Sequence, residues 1–72
     1  MRDALRAARE RARLRQEDVA ERAGIDRTAY VKIEGGHRSP SLRVAFAIAS
    51  AVGAELGELF PDLAAPPAAS AG

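Results

Sequence analysis

The chain has no cysteine and no tryptophan, one histidine, one tyrosine and two phenylalanines. Without cysteine there is neither a disulfide staple nor a thiolate zinc site. At 4% aromatic residues the composition does not suit a β-sandwich, whose strands draw on aromatic and β-branched side chains. No run of 18 apolar residues occurs, so no membrane span is expected, and the Met1-Arg2-Asp3 start does not read as a signal peptide. The expectation is a soluble, cytoplasmic protein. Enzyme chemistry is equally short of material. The one histidine, His37, lies in a glycine-rich loop, Tyr30 falls at a core position, and no acid pair stands apart from basic neighbours. Gly35-Gly36 lacks the strand and the Lys-Ser/Thr that a phosphate-binding loop needs. No catalytic residue, metal site or cofactor is expected.

Basic residues are missing from one part of the chain altogether. All 11 Lys and Arg fall within residues 1–43, where seven acids leave +4, whereas residues 44–72 hold Glu55, Glu58 and Asp62 and no base, giving −3. The net +1 therefore hides a basic half of the kind that faces a polyanion, although an arginine-rich helix is as often a solvated face. Ten of the 11 bases are arginine, the side chain suited to bidentate phosphate or guanine contacts.

What the chain does contain is 72 residues, 47% hydrophobic, rich in alanine and in helix punctuation. That length supports one small domain. Leu5, Ala8 and Ala12 repeat at helical spacing and predict a first helix over 3–12. Gln16-Glu17-Asp18 opens a second over 16–23, with two acids in its first turn and Val19, Ala20 and Ala23 inward. Gly24 reads as a left-handed stop, Ile25 as a buried staple and Asp26 as the N-cap of a third helix over 27–34. After the loop Gly35 to Pro40, Ser41 caps a fourth helix over 42–52, whose Leu42, Ala45, Ile48, Ala49 and Val52 form an apolar face ended by Gly53. A weak fifth helix is expected over 55–60, with Glu55 a poor cap and Gly57 costing about 1 kcal/mol relative to alanine. The domain would then span 1–63, and the Ala/Pro-rich 64–72 is expected to be a disordered tail.

The spacing of Gln16, Ala20 and Gly24, with Val19, Ala23, Ile25, Tyr30 and Ile33 at buried positions, resembles the helix-turn-helix motif. From Leu5 to Phe60 the chain resembles the Cro/CI (XRE-type) helix-turn-helix family. The segments Gln16 to Ala20, Ile33-Glu34-Gly35-Gly36, Ser39-Pro40-Ser41-Leu42 and Leu56 to Phe60 carry the likeness. Asp26-Arg27-Thr28 is also similar to the recognition-helix start of restriction-modification controller proteins. The resemblance implies a compact, all-α, five-helix, lambda-repressor-like domain from a bacterial or phage source. It further implies a nucleoid-associated transcriptional regulator, a repressor or autoregulator, that binds double-stranded DNA with the third helix in the major groove.

On that mapping Arg27, Thr28 and Lys32 would contact bases, the first through guanine O6/N7; the alternatives are an ion pair of Arg27 with Asp26 or Glu17 and a solvated lysine. Gln16 would contact phosphate, or simply cap its helix, and Arg38, Ser39 and Arg43 would flank the phosphate backbone. Val31 would touch a thymine methyl or stand exposed. The family pattern pairs Arg9 with Glu34 as a structural ion pair. Because so few contacts bind weakly, a homodimer on a pseudo-palindromic operator is expected, with Leu56, Phe60 and Leu63 as its interface, the alternative being that Leu59 and Phe60 simply close the core. The competing reading is an antitoxin or accessory module whose partner, such as a toxin, takes the C-terminal segment.

Overall fold

The structure is a computed structural model that describes residues 1–64, so the expected tail lies almost wholly outside the described residues. The described chain is all-helical: α1 (Asp3–Arg11), α2 (Gln16–Ala23), α3 (Arg27–Glu34), α4 (Leu42–Val52), α5 (Leu56–Leu59) and α6 (Pro61–Ala64). The sixth helix corrects the expected five. Pro61 does not block it, because proline at the first helical position gives up only an N–H that has no intrahelical partner.

One stop signal ends each of the first four helices. A left-handed residue past the helix end lets two N–H groups turn back onto the final carbonyls, the Schellman arrangement. Gly24 (φ 74), Gly36 (φ 82) and Gly53 (φ 69) occupy that position after α2, α3 and α4. After α1 it is held by Arg13 at φ 60, with Arg13 N–H donating to Glu10 O at 2.9 Å and Leu14 N–H to Arg9 O at 3.1 Å. The starts are equally local. Asp26 accepts from Ala29 N–H at 2.8 Å, Ser41 Oγ accepts from Val44 N–H at 3.2 Å, and Asp18 accepts from Arg15 N–H at 2.8 Å ahead of α2.

Leu5, Val19, Tyr30, Ile48 and Phe60 are the largest fully buried side chains, drawn from α1, α2, α3, α4 and the end of α5. α2 packs against α3 and α4, and α5 against α1 and α4. Two expectations change here. Ala12 is not on an inner face but sits exposed as the C-cap of α1. Leu42 is 53% exposed although Ala45, Ile48, Ala49 and Val52 are buried. Helical spacing puts Leu42 in phase with them, but burial also requires an element opposite that turn, and none covers it.

The N-terminus clips α3 to the C-terminal segment. Arg2 donates its backbone N–H to Glu34 O at 2.8 Å and its Nε–H to Ile33 O at 3.0 Å. Its guanidinium lies 4.9 Å from the Phe60 ring centroid and 3.4 Å from Asp62 Oδ1. A cation thus sits on the end of α3 where the helix dipole favours one.

Candidate nucleic-acid interface

The outward face of α3 follows from which residues are spent inward. Tyr30, Ile33 and Glu34 are buried, and Ala29 turns toward the 38–41 loop, so Arg27, Thr28, Val31 and Lys32 share the remaining arc. With Gln16 at the start of α2 they line one shallow recess of about 320 Å³. A second recess of about 130 Å³ lies on the other flank of α3, where Arg38, Ser39, Pro40 and Ser41 meet Ala29 and Ile33. The turn between α2 and α3 is fixed by Gly24 and by Ile25 N–H donating to Ala20 O at 3.0 Å.

Glu34 is the hub beneath this surface. Its side chain is 4% exposed and accepts Nε–H and Nη2–H of Arg9 at 2.7 and 3.2 Å, Tyr30 O–H at 2.8 Å and the Gln16 amide at 3.0 Å. Arg9 also donates to Leu14 O at 3.0 Å, so one guanidinium joins α1, the following turn and α3. Burial by itself would raise the Glu34 carboxyl, but the bonds from Arg9, Tyr30 and Gln16 outweigh it and hold it below its ordinary range. Burial pushes the Tyr30 hydroxyl up, with the bond to Glu34 and its charge adding to the effect. The bond to Glu34 raises Arg9 in turn. No buried side-chain polar atom lacks a partner among the described residues.

The sequence-derived candidates divide accordingly. Arg27, Thr28 and Lys32 lie together on the open arc. Neither alternative for Arg27 is formed, because Asp26 is engaged as the cap and Glu17 pairs with Arg15 at 3.7 Å. Among the described residues Arg27, Lys32, Arg38 and Arg43 take part in no salt bridge, as is also true of Arg11, Arg13 and Arg22, whereas Arg2, Arg6, Arg9 and Arg15 all do. Gln16 joins the recess but spends one amide N–H on Glu34, leaving the other N–H for a further acceptor. Val31 is 38% exposed within the same recess. Arg38 and Ser39 stand apart from that group, on the opposite flank, and Arg43 is exposed in the first turn of α4.

The expected interface is partly overturned: Phe60 is fully buried and has no surface to offer a partner, while Leu56 and Leu63 are half-buried against the core. Phe60 closes the core together with buried Leu59. Sequence reasoning passed over Arg2, whose position between α3 and α6 carries no local signature, and the exposed Phe46 on α4. Among the described residues no group of three or more His, Cys, Asp or Glu is placed to hold a metal ion, and no helix is long and apolar enough to cross a membrane.

Comparison with known proteins places this geometry in context. The Helix-turn-helix family matches residues 5–59. An uncharacterized HTH-type transcriptional regulator of Methanothermobacter thermautotrophicus is 44% identical over 55 residues, covering 76% of this chain and 80% of its own. Similar regulators of Methanocaldococcus jannaschii and Archaeoglobus fulgidus are each 37% identical over 60 residues, 83% of this chain and 91% and 86% of theirs. These relatives are archaeal, which widens the bacterial or phage source that the resemblance implied. No solved structure matches the chain. With two helices set around a glycine turn, a recognition-type face left free of ion pairs and the family match across nearly the whole described chain, this protein belongs to the helix-turn-helix family of the Cro/CI (XRE) type, a family of DNA-binding proteins rather than enzymes.

Proposed function

We infer that the chain is a sequence-specific transcriptional regulator, a repressor or autoregulator that binds double-stranded DNA as a homodimer on a pseudo-palindromic site. The supporting observation is the recess of Gln16, Arg27, Thr28, Val31 and Lys32, whose cations are free of protein partners. In this reading α3 enters the major groove, Arg27 meets guanine O6/N7, and Thr28 and Lys32 read neighbouring bases. Gln16 and the first N–H groups of α2 meet one stretch of phosphate, and Arg38 and Ser39 the next. Ala29 and Val31 offer no hydrogen bonds, so DNA shape supplies part of the selectivity.

Selection from a random duplex library at about 150 mM salt, where non-specific phosphate attraction is weakened, tests the reading. An enriched two-fold symmetric motif is expected, and Arg27→Ala should flatten it at one position in each half-site. A library that stays random under those conditions contradicts sequence-specific binding. A protein captured by the 56–64 segment in place of any DNA would instead favour the antitoxin or accessory module.

A further inference from the structure

We propose that the exposed stripe of α4 is the surface on which a second copy of this chain docks. Leu42 and Phe46 are 53% and 57% exposed, one helical turn apart on the same face. Of the other exposed large hydrophobics, Val31 belongs to the DNA-facing recess and Met1 is the first residue. The stripe continues through exposed Ser50 and Gly53, which are small enough for another helix to approach closely.

The occupant follows from charge. Arg43 stands beside the stripe at the N-terminal end of α4, where the positive end of the helix dipole disfavours it, and no acid of its own chain pairs with it among the described residues. Just beyond the other end of α4 stand exposed Glu55 and Glu58, equally without a salt-bridge partner there. An antiparallel, two-fold pairing of α4 with its copy brings Arg43 to the acidic C-terminal end of the second helix. In that register Phe46 packs over Ser50 of the second copy and Leu42 over its Gly53, and the same contacts repeat across the axis. One surface supplies both signs and the apolar centre, as an isologous contact requires. Arg43, which the sequence alone points toward phosphate, is assigned here to the interface.

The inference deepens the DNA-binding reading and rests on it. The first turn of α4 adjoins α3 through the Arg38 to Ser41 loop, so pairing at this stripe sets two α3 helices about a common axis. A patch centred on two large side chains per copy falls at the small end of specific contacts, roughly 1,200 Å² or less, so association should depend on concentration.

Sedimentation equilibrium of the full chain, free and on an enriched duplex, tests the assignment. Phe46→Glu should weaken self-association roughly tenfold or more, because it removes a central aromatic anchor. Arg43→Glu should weaken it as well, and adding Glu55→Arg should restore it. At concentrations low enough for the wild type to be monomeric, all three variants should keep the wild-type melting curve, since the residues are exposed in the single chain. A wild-type chain that dimerises but ignores Phe46→Glu and Arg43→Glu overturns this interface. A chain that stays monomeric, one per duplex, overturns it too, yet if that monomer selects a single half-site the DNA-binding reading survives.

Discussion

At the residue scale the molecule turns on Glu34. A carboxylate this buried is stable only because Arg9, Tyr30 and Gln16 together supply four donors, and each donor comes from the arc or the helix that the carboxylate must align. Glu34→Ala should cost about 3 kcal/mol in chemical denaturation, since Arg9 would be left buried without its partner. The carboxyl is held below its ordinary 4.5, so its contribution is present above that value and is lost as pH falls through the folded value. Acid unfolding should therefore begin below about pH 4.5, with Asp18, held down by its bonds from Arg15, acting in the same direction, and Glu34→Gln should flatten much of that dependence in a pH series of thermal melts. At the alkaline side the raised Tyr30 hydroxyl contributes fully below its ordinary 10.0 and loses that contribution as pH rises beyond it. Backbone strain falls on Arg13. It holds φ 60 with a side chain where the neighbouring stops use glycine, so Arg13→Gly should raise stability by about 0.5–1 kcal/mol, read from the denaturation midpoint. A destabilised variant would mean that the Arg13 side chain supports the turn in another way.

At the element scale, start and stop chemistry was legible wherever the residue type forces the backbone. Gly24, Asp26, Ser41 and Gly53 mark ends that the structure places within a residue of expectation, because glycine and short oxygen-bearing side chains favour those conformations locally. The end of α1 was not legible in the same way, since nothing about arginine announces a left-handed residue; the two returning N–H bonds, the docking of Leu14 and the Arg9 bond to the Leu14 carbonyl hold it there. The α6 turn was missed because an Ala/Pro-rich stretch says little about whether one more turn can dock. α3 shows the converse: its inward and outward arcs could be read from spacing, but the freedom of Arg27 could not, as it depends on Asp26 and Glu17 being engaged elsewhere. Arg27→Ala should weaken binding to an enriched duplex by about 1–3 kcal/mol and relax selectivity at one base position, with little change in melting temperature. Uniform weakening across all sequences would reassign Arg27 to phosphate.

At the scale of the whole molecule the charge asymmetry acquires a layout. Among the described residues the cations without a salt bridge are Arg11, Arg13, Arg22, Arg27, Lys32, Arg38 and Arg43, and of these Arg27 and Lys32 share the recess beside α3 while Arg38 lies on its other flank. Affinity should fall as salt rises, and Arg38→Ala should lower the salt slope by about one counterion while leaving the preferred sequence unchanged. A slope that does not move would remove Arg38 from the phosphate contacts. Sequence alone was informative about which residues share the open arc of α3 and silent about which apolar side chains the packing leaves uncovered. Phe60 is apolar and near the C-terminus in either role, and only the packed structure shows it spent on the core while Leu42 and Phe46 stay uncovered.

The central claim is that α3 and its flanks form the DNA-binding face, and amide shift mapping during titration with an enriched duplex tests it most directly. The largest changes are expected at Gln16 and Glu17, across Arg27 to Lys32 and at His37 to Ser39, with α1 little affected. Changes concentrated on α1 or on the 55–64 segment, with α3 unmoved, would contradict it.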